Sequence, residues 1–550
     1  MSQQKLQCIV RRLRDNDPTL TELDFRNVDG SRSYTFESES PIFHDLLDAL
    51  KCNVTVTSVN IILRFLSQLQ PTEKHQLFEL IGSLPQLKQL RVGCSGLAGQ
   101  SLRLINHALN QTRNLESLTL HSIHFKDNVH YKTESVVNTA DEEYIEFTTI
   151  LKTQLRNSLE IFVLEDVEDT FDLDGIVNAL HMIPNLREVT IRSYSPYKRR
   201  LTSNSVEKLF RSSSLQTLAL RRLGLVDILP DLLVSLDDNK VLKKLSLEQN
   251  GMNHDCGMAI AYLLGTNDTL AEIQLGYNSI PDACGSAIAG ALSNNKSLKS
   301  LDFTANGLET LASRRFAHLL FDNECALEYL NLSQNSLRDD GVAMLASALE
   351  GNTTLKSLSL AETQITLASC AVLAASLRTN STLQRLNIAD NRIRDDGCIS
   401  LSNALISNSS LNSLNLCGNQ IGNDGAVRLA RSLGENERSA LEKLNLANNH
   451  AMTHKSYDAL EELVLTNYTL KHLWMPTVVP GSVIPSFIRL NRLGRKRLMQ
   501  ELDNAQLWVD AVKASSSDIH CLYFLVRSNP ALVSWLPWKE SPTVDAQNKF

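Results

Sequence analysis

Along most of the chain one arrangement of apolar positions keeps returning: apolar, two variable, apolar, one variable, apolar, two variable, often Asn, one variable, apolar. Clear copies are LKKLSLEQNGM from Leu242, LAEIQLGYNSI from Leu270, LKSLDFTANGL from Leu298, LEYLNLSQNSL from Leu327, LQRLNIADNRI from Leu383 and LNSLNLCGNQI from Leu411. With the first apolar position as the mark, sixteen units open at 20, 56, 87, 115, 159, 186, 215, 242, 270, 298, 327, 355, 383, 411, 441 and 470. From 186 onward the steps are 29, 27, 28, 28, 29, 28, 28, 28, 30 and 29, a regularity that unrelated elements do not produce. The L-x-L alternation has the two-residue period of a strand, and the second half of a unit, as in Gly341, Leu345, Leu349 and Leu355, has helical spacing. Each unit therefore reads as strand, turn, helix.

One strand and one helix cannot enclose a core, so each unit must bury its apolar face against its neighbours, and stability comes from stacking. Asn250, Asn278, Asn306, Asn335, Asn391, Asn419 and Asn449 fall at one equivalent place after the strand. An amide there both donates and accepts, so it can satisfy backbone groups where the chain leaves the strand, in a ladder from unit to unit. Gly257, Gly285, Gly341, Gly397 and Gly425 recur between strand and helix, often behind Asp as in RDDG and GNDG, and read as turn and cap positions.

The L-x-x-L-x-L-x-x-N-x-L/I core, followed by D-x-G and A-x-x-L-x-x-x-L-x-x-N, resembles the ribonuclease-inhibitor-like subclass of leucine-rich repeat proteins. The resemblance is strong over 186–475 and looser over 20–185, where Val56, Val59 and Ile61 replace leucines. It implies an α/β solenoid, a horseshoe with a concave parallel sheet and convex helices. The start LRDNDPTLTELDF and the end IRLNRLGRKRLM are similar to leucine-rich repeat proteins of unicellular algae.

A solenoid leaves an apolar face at each end, which calls for different sequence there. Residues 1–19, with Leu6, Ile9, Val10 and Leu13 at helical spacing, are expected to form an N-terminal helical cap. Residues 20–478 are assigned to repeats, irregular over 20–185 with an insertion at 126–158 and regular over 186–478. Residues 479–550 are expected to form a C-terminal helical cap. Within it Arg492, Arg495, Lys496 and Arg497 read as one solvated basic face.

Composition changes this picture little. Lys+Arg number 54 against 61 Asp+Glu, a net charge of -7 that offers no general attraction to nucleic acid or an anionic membrane. The N-terminus has no secretory pattern, and the late apolar stretch CLYFLVRSNPALVSWLPW is interrupted by Arg527, Asn529 and Pro530. Ten cysteines occur singly with no CxxC pair, as expected of reduced thiols in a cytoplasmic protein. Asn-x-Ser/Thr triplets at Asn267, Asn295, Asn352, Asn380, Asn408 and Asn467 all precede the opening leucine of a unit, so repeated turn chemistry explains them without sugar. His121, His124 and His130 lack partners at metal-ligand spacing, and no phosphate, zinc-protease, hydrolase or calcium motif appears. No cofactor, metal or catalytic residue is expected.

The remaining candidate for function is the concave face, whose side chains alternate with the buried leucines. Its informative positions are Arg91, Arg192, Arg221, Arg222, Glu248, Glu272, Tyr277, Asp302, Tyr329, Glu362, Arg385, Asp390, Lys443 and Trp474. Arg221 and Arg222, with Lys198, Arg199 and Arg200 nearby in sequence, suit an acidic segment, and Tyr277, Tyr329 and Trp474 suit anchoring contacts. The expected function is a non-catalytic protein-interaction scaffold or sensor. The repeat subclass also implies two alternatives: a GTPase-binding or GTPase-activating regulator similar to the Ran GTPase activator, and a stand-alone relative of nucleotide-binding immune sensors. Neither a long acidic tail nor a nucleotide-binding domain accompanies the repeats in this sequence.

Overall fold

The computed structural model describes residues 3–25, 41–61, 69–93, 101–122, 137–167, 172–193, 201–323, 325–477, 481–515, 518–529 and 532. The chain divides into two compact units, Met1–Asn306 and Gly307–Phe550.

In the first unit the strands are β1 (Glu22–Asp24), β2 (Ser58–Ile61), β3 (Gln89–Gly93), β4 (Ser117–His121), β5 (Ile161–Val167), β6 (Glu188–Ser193), β7 (Thr217–Arg221), β8 (Lys244–Ser246), β9 (Glu272–Gln274) and β10 (Ser300–Asp302). Each pairs in parallel with the next, in sequence order. The second unit continues the scheme with β11 (Tyr329–Asn331), β12 (Ser357–Ser359), β13 (Arg385–Asn387), β14 (Ser413–Asn415), β15 (Lys443–Asn445) and β16 (His472–Trp474), again parallel and sequential. The register advances one whole repeat at a time: Leu358 faces Leu386, which faces Leu414, which faces Leu444.

A helix follows most strands and returns the chain to the start of the next one, so the core lies between sheet and helices. In one representative repeat Leu355, Leu358 and Leu360 from the strand side meet Leu373 and Leu377 of the helix Leu367–Leu377, all buried. The asparagine ladder closes the corner above this core. Asn391 Oδ1 accepts from the backbone N–H groups of Thr363 and Ile365, at 3.1 and 2.9 Å, while its Nδ2 donates to the carbonyls of Leu360 and Ile388 at 2.9 and 3.0 Å. Asn250 does the same in the first unit, joining Leu223 N–H to the carbonyls of Leu220 and Leu247.

Asn267, Asn295, Asn352, Asn380, Asn408 and Asn467 form a second ladder where helices hand over to strands, and all six are buried. Asn380, for example, donates to the carbonyl of Leu349 in the preceding repeat and accepts from Leu383 N–H, at 2.6 and 2.8 Å.

The recurring glycines differ from the expectation of turn positions. Gly257, Gly341, Gly397 and Gly425 lie inside helices, where a Cβ would strike the preceding or following helix: at Gly341 it would lie 2.7 Å from Ser313 Oγ, and at Gly257 2.6 Å from Cys284 Cβ. Their role is close helix approach. The aspartates before them do cap helices, but those of the next repeat. Asp339 Oδ1 accepts from the N–H groups of Thr366 and Ser369, at 2.9 and 3.3 Å, and Asp395 Oδ1 from those of Gly422 and Gly425, at 2.7 and 2.9 Å.

After β16 come the helices Ile484–Arg492, Arg495–Gln500, Ala505–Ala514 and Ile519–Ser528. Helix Gln3–Arg14 precedes β1, with Val10 and Leu13 buried. Of the insertion, residues 137–153 form a helix of 17 residues and residues 126–136 lie outside the described residues. Among the described residues no helix is long and apolar enough to cross a membrane.

Candidate binding faces

Helices cover one face of each sheet, and strand alternation turns the intervening side chains to the other, open face. In the first unit that face is a connected polar network. Arg221 Nε lies 2.7 Å from Glu248 Oε2 and donates to Ser246 Oγ at 2.8 Å, while its Nη2 donates to Gln274 Oε1 at 2.8 Å. Gln274 in turn donates to Glu272, which pairs with Lys244 at 3.1 Å. Arg221, Lys244, Ser246, Glu272 and Gln274, with Glu165, line a shallow cavity of about 310 Å³. The basic and acidic stretches read in the sequence are thus brought together and answer one another. Nearby Arg91 Nε donates to His121 Nε2 at 3.0 Å, and His121 Nδ1 meets Glu165 Oε2 at 2.8 Å. That hydrogen bond holds the Glu165 carboxyl below its ordinary range, helped by Arg192 and Arg91. Arg192 stands on β6 in register with Arg221, and Asp302 ends β10, where its Oδ1 accepts from Thr304 N–H at 2.8 Å.

The open face of the second unit has another character. Arg385 lies over the Tyr329 ring, 5.0 Å from its centroid. Trp474, 47% exposed, stacks on His472 with ring centroids 5.5 Å apart. Lys443 is exposed between them on β15.

Arg222, Tyr277, Glu362 and Asp390 do not stand on strands. All have positive φ, between 54° and 56°, in the corner just past the strand. The chain turns left-handed there to reach the ladder position, so these four side chains sit at the rim of the sheet and not in its alternating rows. Lys198, Arg199 and Arg200, as well as His124 and His130, lie outside the described residues. Arg495 departs furthest from its expected place on a solvated face: it is 1% exposed, caged by the rings of Tyr468, Phe487 and Phe524 at 4.5 to 4.6 Å. Only the structure reveals that one cation of the basic run turns inward.

Among the described residues no three His, Cys, Asp or Glu side chains gather in a way that could hold a metal ion. Burial pushes the thiols of Cys256, Cys284 and Cys370 above their ordinary range, to about 12 at Cys370, which leaves them poor nucleophiles at neutral pH.

A family model described as a leucine-rich repeat matches residues 325–346, 379–402 and 407–430, each spanning the strand and most of the helix of one repeat. Over those residues the chain matches a leucine-rich repeat. Among solved structures it is similar to the actin-binding site 2 of leiomodin-1, at 20% identity and a TM-score of 0.27 over 30% of this chain and 96% of that one. It is also similar to an internalin from Listeria monocytogenes, at 16% identity and a TM-score of 0.35 over 86% of this chain and 93% of that one. No curated protein matches the sequence. With the repeat established, the outward strand positions are the surface that the repeat leaves free of its own packing.

Proposed function

We propose that this leucine-rich repeat chain is a non-catalytic interaction scaffold that holds a protein partner against the open face of its sheet. The observation that carries the reading is the pair of exposed aromatic side chains there: Tyr329 is 37% and Trp474 47% exposed, although neither is needed to fill the core. Large, stiff rings with a polar edge bring much contact area at little entropic cost, which suits them as anchors. The triplet asparagines also favour an intracellular, cytoplasmic setting, because a sugar added to any of them on a secretory route would break the buried ladder they form.

The test is affinity capture from native lysate with three forms of the chain. One is native, one carries Tyr329→Ser with Trp474→Ser, and one carries Met258→Ser on the helix side, where Met258 is also exposed. A partner retained by the native and helix-side forms and lost by the open-face form supports the reading. Equal recovery by all three would contradict it, and accelerated GTP hydrolysis by a captured GTPase would redirect it to a regulator.

A further inference from the structure

None of the outward positions of β11 to β16 carries Asp or Glu, whereas β9 and β10 carry Glu272 and Asp302, and Glu248 stands two residues past the end of β8. In the first unit Arg221 is answered by Glu248 and Lys244 by Glu272. In the second unit Arg385 has only the ring of Tyr329, and Lys443 has no ion-pair or hydrogen-bond partner among the described residues. The two stand on one row, since Arg385 is in register with Ser413, Ser413 with Lys443, and Lys443 with His472. His472, next on that row, meets a further cation. Its ring lies 3.2 Å from Arg492 Nη2, and burial together with Arg492 and Lys443 pushes its imidazole below the ordinary range.

The next row is made of amides whose orientation is fixed. Asn387, Asn415 and Asn445 each accept, through Oδ1, from the backbone N–H two residues on, at 3.2, 3.1 and 3.0 Å. With the oxygen engaged, the NH₂ is the end left to present. That of Asn387 donates to Ser359 Oγ at 2.9 Å, while those of Asn415 and Asn445 have no partner among the described residues. Cations beside oriented donors, with no carboxylate at the outward strand positions, match a ligand that brings oxygen acceptors and negative charge. Trp474, in register with Asn445, closes the row with a flat apolar wall.

We propose that the open face of β13 to β16 receives an acidic segment of the partner, whose carboxylates meet Arg385 and Lys443 while further oxygens accept from Asn415 and Asn445. This rests on the reading of the open face as the binding face, and it supplies the chemistry of the partner.

The experiment is fluorescence anisotropy on the full chain with three labelled probes: a short peptide alternating Glu and Ser, its Gln–Ser counterpart, and an oligothymidylate. The Glu–Ser peptide is expected to bind best and to weaken as salt is raised. Arg385→Glu or Lys443→Glu should weaken it about tenfold, as loss and reversal of a facing charge does. Lys443→Arg should keep binding, and Asn415→Ala with Asn445→Ala should weaken it severalfold. Arg431→Glu, on the helix side, should leave it unchanged, with melting curves confirming that each variant folds. Equal binding of the Glu–Ser and Gln–Ser peptides, indifference to both charge reversals, or preference for the oligothymidylate would each overturn the proposal. If Tyr329→Ser with Trp474→Ser abolishes partner capture yet the acidic peptide does not bind, the acidic chemistry is wrong and the open face still binds protein.

Discussion

Arg495 donates through Nη1 to the carbonyl oxygen of Val464 at 2.7 Å, closing the C-terminal end of the helix His454–Thr466 from the helix segment that follows the last strand. A second donor reaches the carbonyl of Leu465. The last carbonyls of a helix have no partners within it, and here a caged guanidinium supplies them. Burial pushes that guanidinium down to about 10, which leaves it charged at neutral pH. Replacing Arg495 by Leu should therefore cost about 2 to 4 kcal/mol, because the carbonyls stay buried without donors. Arg495→Lys should recover only part of this, since an ammonium lacks the planar fork and ring stacking. Denaturant unfolding followed by tryptophan fluorescence, with Trp508 buried nearby in sequence, would measure both.

The ladder makes a sharper demand on residue type. Asn391 serves two N–H groups and two carbonyls at once, so neither Asp nor Leu can replace it. Asn391→Ala should destabilise by about 2 to 3 kcal/mol, the cost of leaving buried backbone groups unpaired. Arg431→Ala, at an exposed helix position, should change the same melting midpoint little.

Glycine within these helices is a matter of space. A Cβ at Gly82 would fall 2.3 Å from the carbonyl oxygen of Ala108, and backbone cannot rotate away. At Gly351 nothing lies within 4 Å. Gly82→Ala should cost about 1 to 3 kcal/mol through overpacking, and Gly351→Ala should be neutral or slightly stabilising. Paired thermal melts decide it.

Asp339 gives the fold an acid-sensitive contact. Burial alone would raise its carboxyl, but hydrogen bonds from Ser369 and Thr366 outweigh that and hold it below the ordinary range. A depressed folded value means that the stabilisation is fully present above the unfolded value, about 3.9, and is lost as pH falls through the folded one. The melting midpoint of the native chain should fall between pH 5 and pH 3 by more than that of Asp339→Asn, which starts lower at pH 7. An identical acid response in both would contradict this.

Much of the fold was legible because its physics is repeated. Leucine at three spaced strand positions, and an asparagine at the corner, are required by the core and by the backbone groups above it, so their spacing betrays strand, corner and helix. What escaped depends on the offset between neighbours. The sequence places Asp339 just ahead of its own helix, yet it caps the helix of the following repeat, and only stacking reveals which end comes within reach. Gly341 reads as a turn until Ser313 is seen against it. Tyr277 and Asp390 already fall out of step with the outward positions in the sequence, and the left-handed corner is what turns them to the rim and not into the core. Of the open face, the strand rows could be read in advance. The pairing of Arg221 with Glu248, and the fixed orientation of Asn415, could not, because both depend on side chains meeting across strands.

The central claim is that the open face of the sheet is where a partner sits. Photo-crosslinking tests it most directly, with benzoylphenylalanine placed at Ser413 on β14 in one preparation and at exposed Arg431 of the helix Asn423–Glu435 in another. The account predicts a discrete adduct from position 413 that unlabelled chain competes away, and none from position 431. An adduct confined to the helix position would contradict it.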